Sequence, residues 1–241
     1  MIIEICANSF GSAQAAQLAG AHRIELCTEL SVGGLTPSHG LIEKVVSELN
    51  IPTHVLIRPR SGNFTYSDEE MDVMLRDISF CKKMGCAGIV SGFLTSESKI
   101  DSGKTKRLIA ASEGMEFTFH RAFDWVENPL EELQKLIDLE VNRLLSSGQK
   151  PTAIEGISLL KELQNISKGK IELMPGGGIN IENVLKFKKA GFKSIHFSAT
   201  TKKQVLSKKP IVSMHSDSFF EEGIIATSNA ETIQKIKALL A

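Results

Sequence analysis

Ile2-Ile-Glu-Ile-Cys6, His22-Arg-Ile-Glu-Leu-Cys27, Glu116-Phe-Thr-Phe-His-Arg121 and Ser194-Ile-His-Phe-Ser198 share one pattern: apolar residues at alternate positions, with acids, bases or thiols between them and near the end. A period of two is the signature of a strand with one apolar face. Similar segments lie near residues 53 to 58, 87 to 91, 142 to 146 and 170 to 174, and a helical pattern follows each. Eight strand–helix units in 241 residues predict an α/β protein of one domain, 1–241, closed as a (β/α)8 TIM-type barrel, a fold that commonly takes about 250 residues. An open doubly wound sheet fits less well, because no strand leads into a GxGxxG turn, whereas Gly176-Gly-Gly178 follows the seventh strand.

Helix starts are marked by Thr36-Pro37, the capping box Ser67-Asp-Glu-Glu70, Asn128-Pro129, Asn180 and Asn229. Leu18-Ala-Gly-Ala21, Lys83-Met-Gly-Cys86 and Lys189-Ala-Gly-Phe192 place a glycine where a helix end needs a left-handed residue. Residues 200 to 228, before the last helix, read as a long irregular loop, either functional or a variable insertion.

Parity assigns the barrel interior. If the apolar set of each strand packs on the helices, Glu4, Cys6, Arg23, Glu25, Cys27, His54, Arg58, Thr118, His120, Glu172, Met174 and His196 point inward. Barrel interiors are ordinarily layers of Val, Ile and Leu, so this set is polar beyond the norm. Buried charges must be paired; they serve either a structural network or chemistry.

Composition narrows the function. The 28 basic and 28 acidic residues balance and are dispersed, so no general attraction to nucleic acid or an anionic membrane follows. No apolar run approaches the roughly 20 residues of a membrane span, no leader pattern precedes Ile2, and a cytoplasmic protein is expected. Cys6, Cys27, Cys81 and Cys86 form no CxxC pair and are expected to be reduced, the last two as packing residues. Cys6 and Cys27 end adjacent strands; two thiolates there could clamp a soft cation such as Cu(I), with Met174 or His196 as third ligand, although spacing alone suits two packing thiols equally.

A second chemistry is also written in the chain. Arg58 and Arg60 flank the end of strand three and could grip a carboxylate or phosphate. His120 and Glu25 are acid–base candidates, Asp124 could orient His120, and Glu4 and His196 would line the same pocket. The turns at Ser146-Ser-Gly-Gln149, containing Gly148, and at Gly176 and Gly177 could cradle an anion. No Walker, HExxH or GxSxG motif is present. The partner is then a metal ion or a small anionic molecule, and a homodimer is the commonest oligomer to expect.

Glu4-Ile-Cys6, Arg23-Ile-Glu-Leu-Cys27, Gly33-Gly-Leu-Thr-Pro-Ser38, Ile57-Arg-Pro-Arg60, Gly62 with Phe64, Tyr66-Ser-Asp68, Thr118-Phe-His-Arg-Ala-Phe-Asp124, Asn128-Pro129, Ser146-Ser-Gly-Gln-Lys150 and His196 together resemble the CutC copper homeostasis family. The resemblance runs from Ile2 to about Ala199. It implies a cytoplasmic TIM-type barrel, a role in copper tolerance or trafficking, and Cu(I) binding at the positions of Cys6 and Cys27. Copper alone gives no reason for Glu25, Arg58, His120 and His196 in one cavity. A barrel enzyme acting on a small anionic metabolite, and a scaffold binding partners through its outer face, therefore stand beside the copper reading.

Overall fold

The computed structural model describes residues 1–208, 211–212 and 224–241. Eight parallel strands, β1 (Ile2–Ala7), β2 (Arg23–Leu26), β3 (Thr53–Leu56), β4 (Gly88–Ser91), β5 (Glu116–Phe119), β6 (Arg143–Ser146), β7 (Glu172–Pro175) and β8 (Ser194–Phe197), pair in sequence order, and β1 also pairs with β8. A Gly176–His196 bridge spans the remaining gap between β7 and β8, so the strands form a (β/α)8 barrel. Its helices are α1 (Phe10–Leu18), α2 (His39–Glu48), α3 (Asp68–Met84), α4 (Ser102–Ala111), α5 (Pro129–Asp138), α6 (Ile157–Ser167), α7 (Val184–Lys189) and α8 (Ala230–Leu240).

Alternation along the strands separates two interiors. Ile3, Ile5, Ile24, Leu26, Val55, Ile89, Phe117, Phe119, Leu144, Leu173, Ile195 and Phe197 belong to one large apolar core with the helix faces. Inside the barrel, Cys6, Cys27, Leu56 and Val90 form a small apolar cluster of buried residues, with Leu30 packed on it. Space for large polar side chains comes partly from glycine: a Cβ on Gly88 would lie 2.8 Å from the His54 ring.

Local signals hold at α3, where Ser67 and Glu70 form the capping box and Gly85 ends the helix at φ 79°, and at α8, capped by Asn229. Gly20 and Gly191 also adopt left-handed φ, of 73° and 81°. The cap expected at Thr36 is corrected: the cap falls two residues later, on Ser38, because Thr36 is pinned to the segment just after β3, its Oγ1 accepting the Arg58 N–H at 2.8 Å. Asn128 precedes an N1 proline without capping through its side chain, and α7 is preceded by Asn183 rather than Asn180, whose Oδ1 accepts the N–H groups of Glu182 and Asn183 in the turn before it.

The segment expected as an irregular loop is ordered at both ends. Thr200–Gln204 (β9) and Ile224–Ser228 (β10) form an antiparallel pair, tied back to the start of α1, where Asn8 donates to the Ala226 carbonyl at 3.0 Å and the Ser12 hydroxyl accepts the Ser228 N–H at 3.0 Å. The rest of that loop, residues 209–210 and 213–223, lies outside the described residues.

Candidate functional site at the barrel mouth

Two polar regions fill the barrel. Toward the N-terminal ends of the strands, every charge has a partner. Arg23 donates through Nε to Glu4 and lies 3.8 Å from Glu172; Arg143 reaches Glu172 at 3.4 Å, Glu116 at 2.8 Å and Thr118 at 2.9 Å. His54 lies 3.4 Å from Glu116, and Ser194 donates to Glu172. Met174 belongs to this floor, its sulfur accepting from Arg23 Nη2 at 3.3 Å, and it is not brought to the cysteines.

At the C-terminal mouth the pairing is different. The β1–β2 register sets Cys6 opposite Glu25, with Cys27 two residues further along, and the two sulfurs stand 3.5 Å apart. Gly34, at φ 88°, brings the loop after β2 directly over them: a Cβ there would lie 2.7 Å from Leu56 and 3.7 Å from the Cys27 sulfur. His196 enters from β8 and bridges two acids, Nδ1 to Glu4 Oε1 at 2.8 Å and Nε2 to Glu25 Oε2 at 3.3 Å. Ligating atoms of Cys6, Glu25 and His196 lie within 4.8 Å of one another, all buried.

Electrostatics follow from these contacts. Burial pushes the Glu4 carboxyl up, but the His196 hydrogen bond and the charges of Arg23 and His196 outweigh it and hold Glu4 well below the usual carboxylate range. Burial raises Glu25, partly offset by His196. For His196, burial is overcome by the Glu25 charge and the contacts with Cys6 and Glu4, so it is raised well above an ordinary imidazole. The Cys6 thiol is raised by its hydrogen bond with Cys27 and by burial. His196 thus sits between Glu4 and Glu25 beside a thiol whose ionisation is disfavoured, and a cation entering this cluster would displace protons from it.

The mouth opens into a cavity of about 270 Å³ whose walls include Cys6, Glu25, Arg58, His120, Arg121, Gly177 and His196. Arg58 holds three loop carbonyls: Nη1 donates to Val32 at 2.7 Å and Gly34 at 2.9 Å, and Nη2 to Gly62 at 3.0 Å. His120 accepts the Ala122 N–H on Nδ1 at 3.2 Å, and burial with the Arg58 charge lowers its pKa to about 3, so the ring is neutral with its proton on Nε2.

Other expected site residues are placed elsewhere. Arg60 is off the cavity wall, committed to Glu70 at 2.5 and 3.3 Å and to the Thr65 carbonyl. Asp124 does not orient His120. Its carboxylate takes the Ser146 hydroxyl at 2.6 Å, the Ser147 and Gln149 N–H groups at 3.1 and 3.2 Å, and Arg121 Nε at 2.8 Å. The anion in the Ser146–Gln149 turn is therefore the chain's own Asp124, and Gly148 packs on Gly156 instead of facing the cavity. Gly176 backs onto His196 and Leu145, while Gly177 and Gly178 form the wall. Arg121 takes the wall position expected of Arg60; the only sequence signal for it is its place directly after His120 at a strand end.

The fold and mouth define a class: a TIM-type barrel with a cysteine–histidine–carboxylate cluster at its C-terminal end. The CutC family model matches residues 1–201. A CutC family protein of Pasteurella multocida is 44% identical over 237 residues, covering 98% of this chain and 93% of its own. One from Bacteroides thetaiotaomicron is 42% identical over 243 residues, covering 98% of each. The crystal structure from Streptococcus agalactiae named for the copper homeostasis protein CutC is 33% identical, covers 82% of this chain and 98% of that one, and superposes with a TM-score of 0.77. This chain belongs to the CutC family. A thiamine phosphate pyrophosphorylase from Pyrococcus furiosus, 13% identical with a TM-score of 0.60, shares the fold alone.

Proposed function

We propose that this protein is a cytosolic copper homeostasis protein, a single domain over 1–241, that binds Cu(I) as cargo through Cys6 and Cys27 with His196 as third donor. The observation that carries the reading is the 3.5 Å approach of the two sulfurs beside His196 in a buried mouth. Two sulfurs and an imidazole suit Cu(I), a soft ion content with few ligands, better than they suit Mg²⁺ or Ca²⁺, which take oxygen donors. Glu4 supports the assignment. It holds Nδ1 of His196 at 2.8 Å and leaves Nε2 facing Cys6 and Glu25, the carboxylate–histidine arrangement that orients metal-binding imidazoles. Glu25, at 3.3 Å from Nε2, accepts the proton or balances the charge when the ion enters.

The testing experiment is an anaerobic Cu(I) titration against a competing chelator, comparing the native chain with Cys6→Ser plus Cys27→Ser. One-to-one binding lost in the double variant is expected. Weak binding, or binding unchanged in the variant, would remove the copper reading.

A further inference from the structure

Arg58 presents an imbalance that the thiol cluster does not resolve. It is 5% exposed, yet its guanidinium bonds only to carbonyls, and no carboxylate among the described residues lies in salt-bridge reach. Other arginines of the barrel's polar interior and mouth all have one: Arg23 with Glu4, Arg143 with Glu116, Arg121 with Asp124. Buried charge is costly unless it is paired.

Three further donors around the same cavity are unspent. Nε of Arg58 and Nε2 of His120 are buried and meet no acceptor among the described residues. Arg121 is anchored through Nε on Asp124 and Nη2 on the Ser147 hydroxyl at 2.7 Å, and its Nη1 has no partner among the described residues. That nitrogen faces Gly177, where a Cβ would lie 3.3 Å from it, so the absence of a side chain at Gly177 keeps it clear. Phe64 covers the inner donors, its ring 4.8 Å from His120 and 5.0 Å from Arg58.

We propose that the cavity is a second binding site, for the oxyanion group of a small carboxylate or phosphate, received by Arg121 and the His120 Nε2–H with Arg58 as buried counter-charge. The class follows from the donor set: two guanidinium groups and one neutral N–H offer hydrogen and positive charge, which only an anionic acceptor satisfies. Size limits the ligand to a small molecule, since about 270 Å³ is just under the roughly 300 Å³ at which ligand pockets begin. Phe64 must shift for the anion to reach His120, and the chain's single tryptophan, Trp125, stands 4.9 Å from the Phe64 ring and reports that shift. The site stands independently of copper, because none of its three donors is a thiol or a member of the Cys6–Glu25–His196 cluster.

The test titrates metal-free, ¹⁵N-labelled full chain with inorganic phosphate and separately with acetate at constant ionic strength. It follows the His120 ring, the Gly177 and Gly178 amides, and Trp125 fluorescence. One anion is expected to shift these signals saturably, and which one does so separates phosphate from carboxylate. Arg121→Gln should weaken binding by about tenfold or more, the scale of one charge-assisted hydrogen bond, with Arg121→Lys retaining part; the spectra show whether each variant is folded. The titration is run on metal-free chain and follows none of the Cys6–Glu25–His196 groups, so failure of the copper reading does not decide this one. No saturable shift with either anion, or midpoints that Arg121→Gln leaves unaltered, would overturn the proposal.

Discussion

The two ends of the barrel interior use the same kinds of residue to opposite effect. At the floor, Glu4, Arg23, Arg143, Glu116 and Glu172 form a continuous chain of ion pairs in which every buried charge has a partner. At the mouth, the two thiols bond to each other beside the His196–Glu25 pair, Arg58 has no acid in reach among the described residues, and His120 keeps an N–H without an acceptor among them. Paired charges fix geometry, whereas a buried guanidinium without an acid leaves a charge for something else to balance. The polar barrel is thus a rigid base carrying a reactive rim.

Breaking the floor should have the largest effect. Glu4→Gln removes the partner of Arg23 and of His196 at a site with no exposure, and should cost about 3 to 5 kcal/mol of unfolding free energy in urea titrations. A loss below about 1 kcal/mol would show that the ion chain is not what holds the floor.

Acid should separate the two ends next. Burial lowers His54 at the floor to about 4 and His120 at the mouth to about 3, against an ordinary 6.5. Between those values the unfolded chain binds protons that the folded chain refuses, so stability falls as pH drops from 6.5 toward 4, by up to about 1.4 kcal/mol per pH unit for each histidine. His196 has the opposite sign: its contribution is complete below its unfolded pKa and is lost as pH rises through its raised folded value. Denaturant titrations across this range should show His120→Gln removing part of the acid slope, with His54 and the lowered His22 keeping the rest; an unchanged slope would place the proton uptake elsewhere.

A smaller effect belongs to the roof of the mouth. Gly34→Ala forces a side chain into a left-handed position and against Leu56, at about 1 to 3 kcal/mol in thermal unfolding, and should weaken Cu(I) retention because the same loop covers Cys27. The smallest belongs outside both regions. Arg60→Gln breaks a partly exposed pair with Glu70 and should cost at most about 1 kcal/mol while leaving Cu(I) binding intact in the chelator competition.

Much of this contrast is legible in sequence, and its limits have a physical origin. Alternation along a strand is local, so eight strand positions and the inward direction of Glu4, Glu25 and His196 can be read from residues a few apart. Whether a donor is already spent depends on closure between distant loops. Asp124 fills the Ser146–Gln149 turn 22 residues away in sequence, and Arg60 turns to Glu70, so neither can serve the cavity as their types suggest. Thr36 is drawn from helix capping to the Arg58 backbone by the same kind of remote contact. The role of Glu25 beside Cys6 follows from the β1–β2 register, which spacing alone does not determine.

The most direct test of the mouth as the binding end is X-ray absorption at the copper edge of the Cu(I)-loaded chain, native and His196→Gln. Two sulfur scatterers with one nitrogen in the native protein, and loss of the nitrogen alone in the variant, is the predicted result. Copper surrounded only by nitrogen and oxygen, or a spectrum indifferent to His196, would contradict the account.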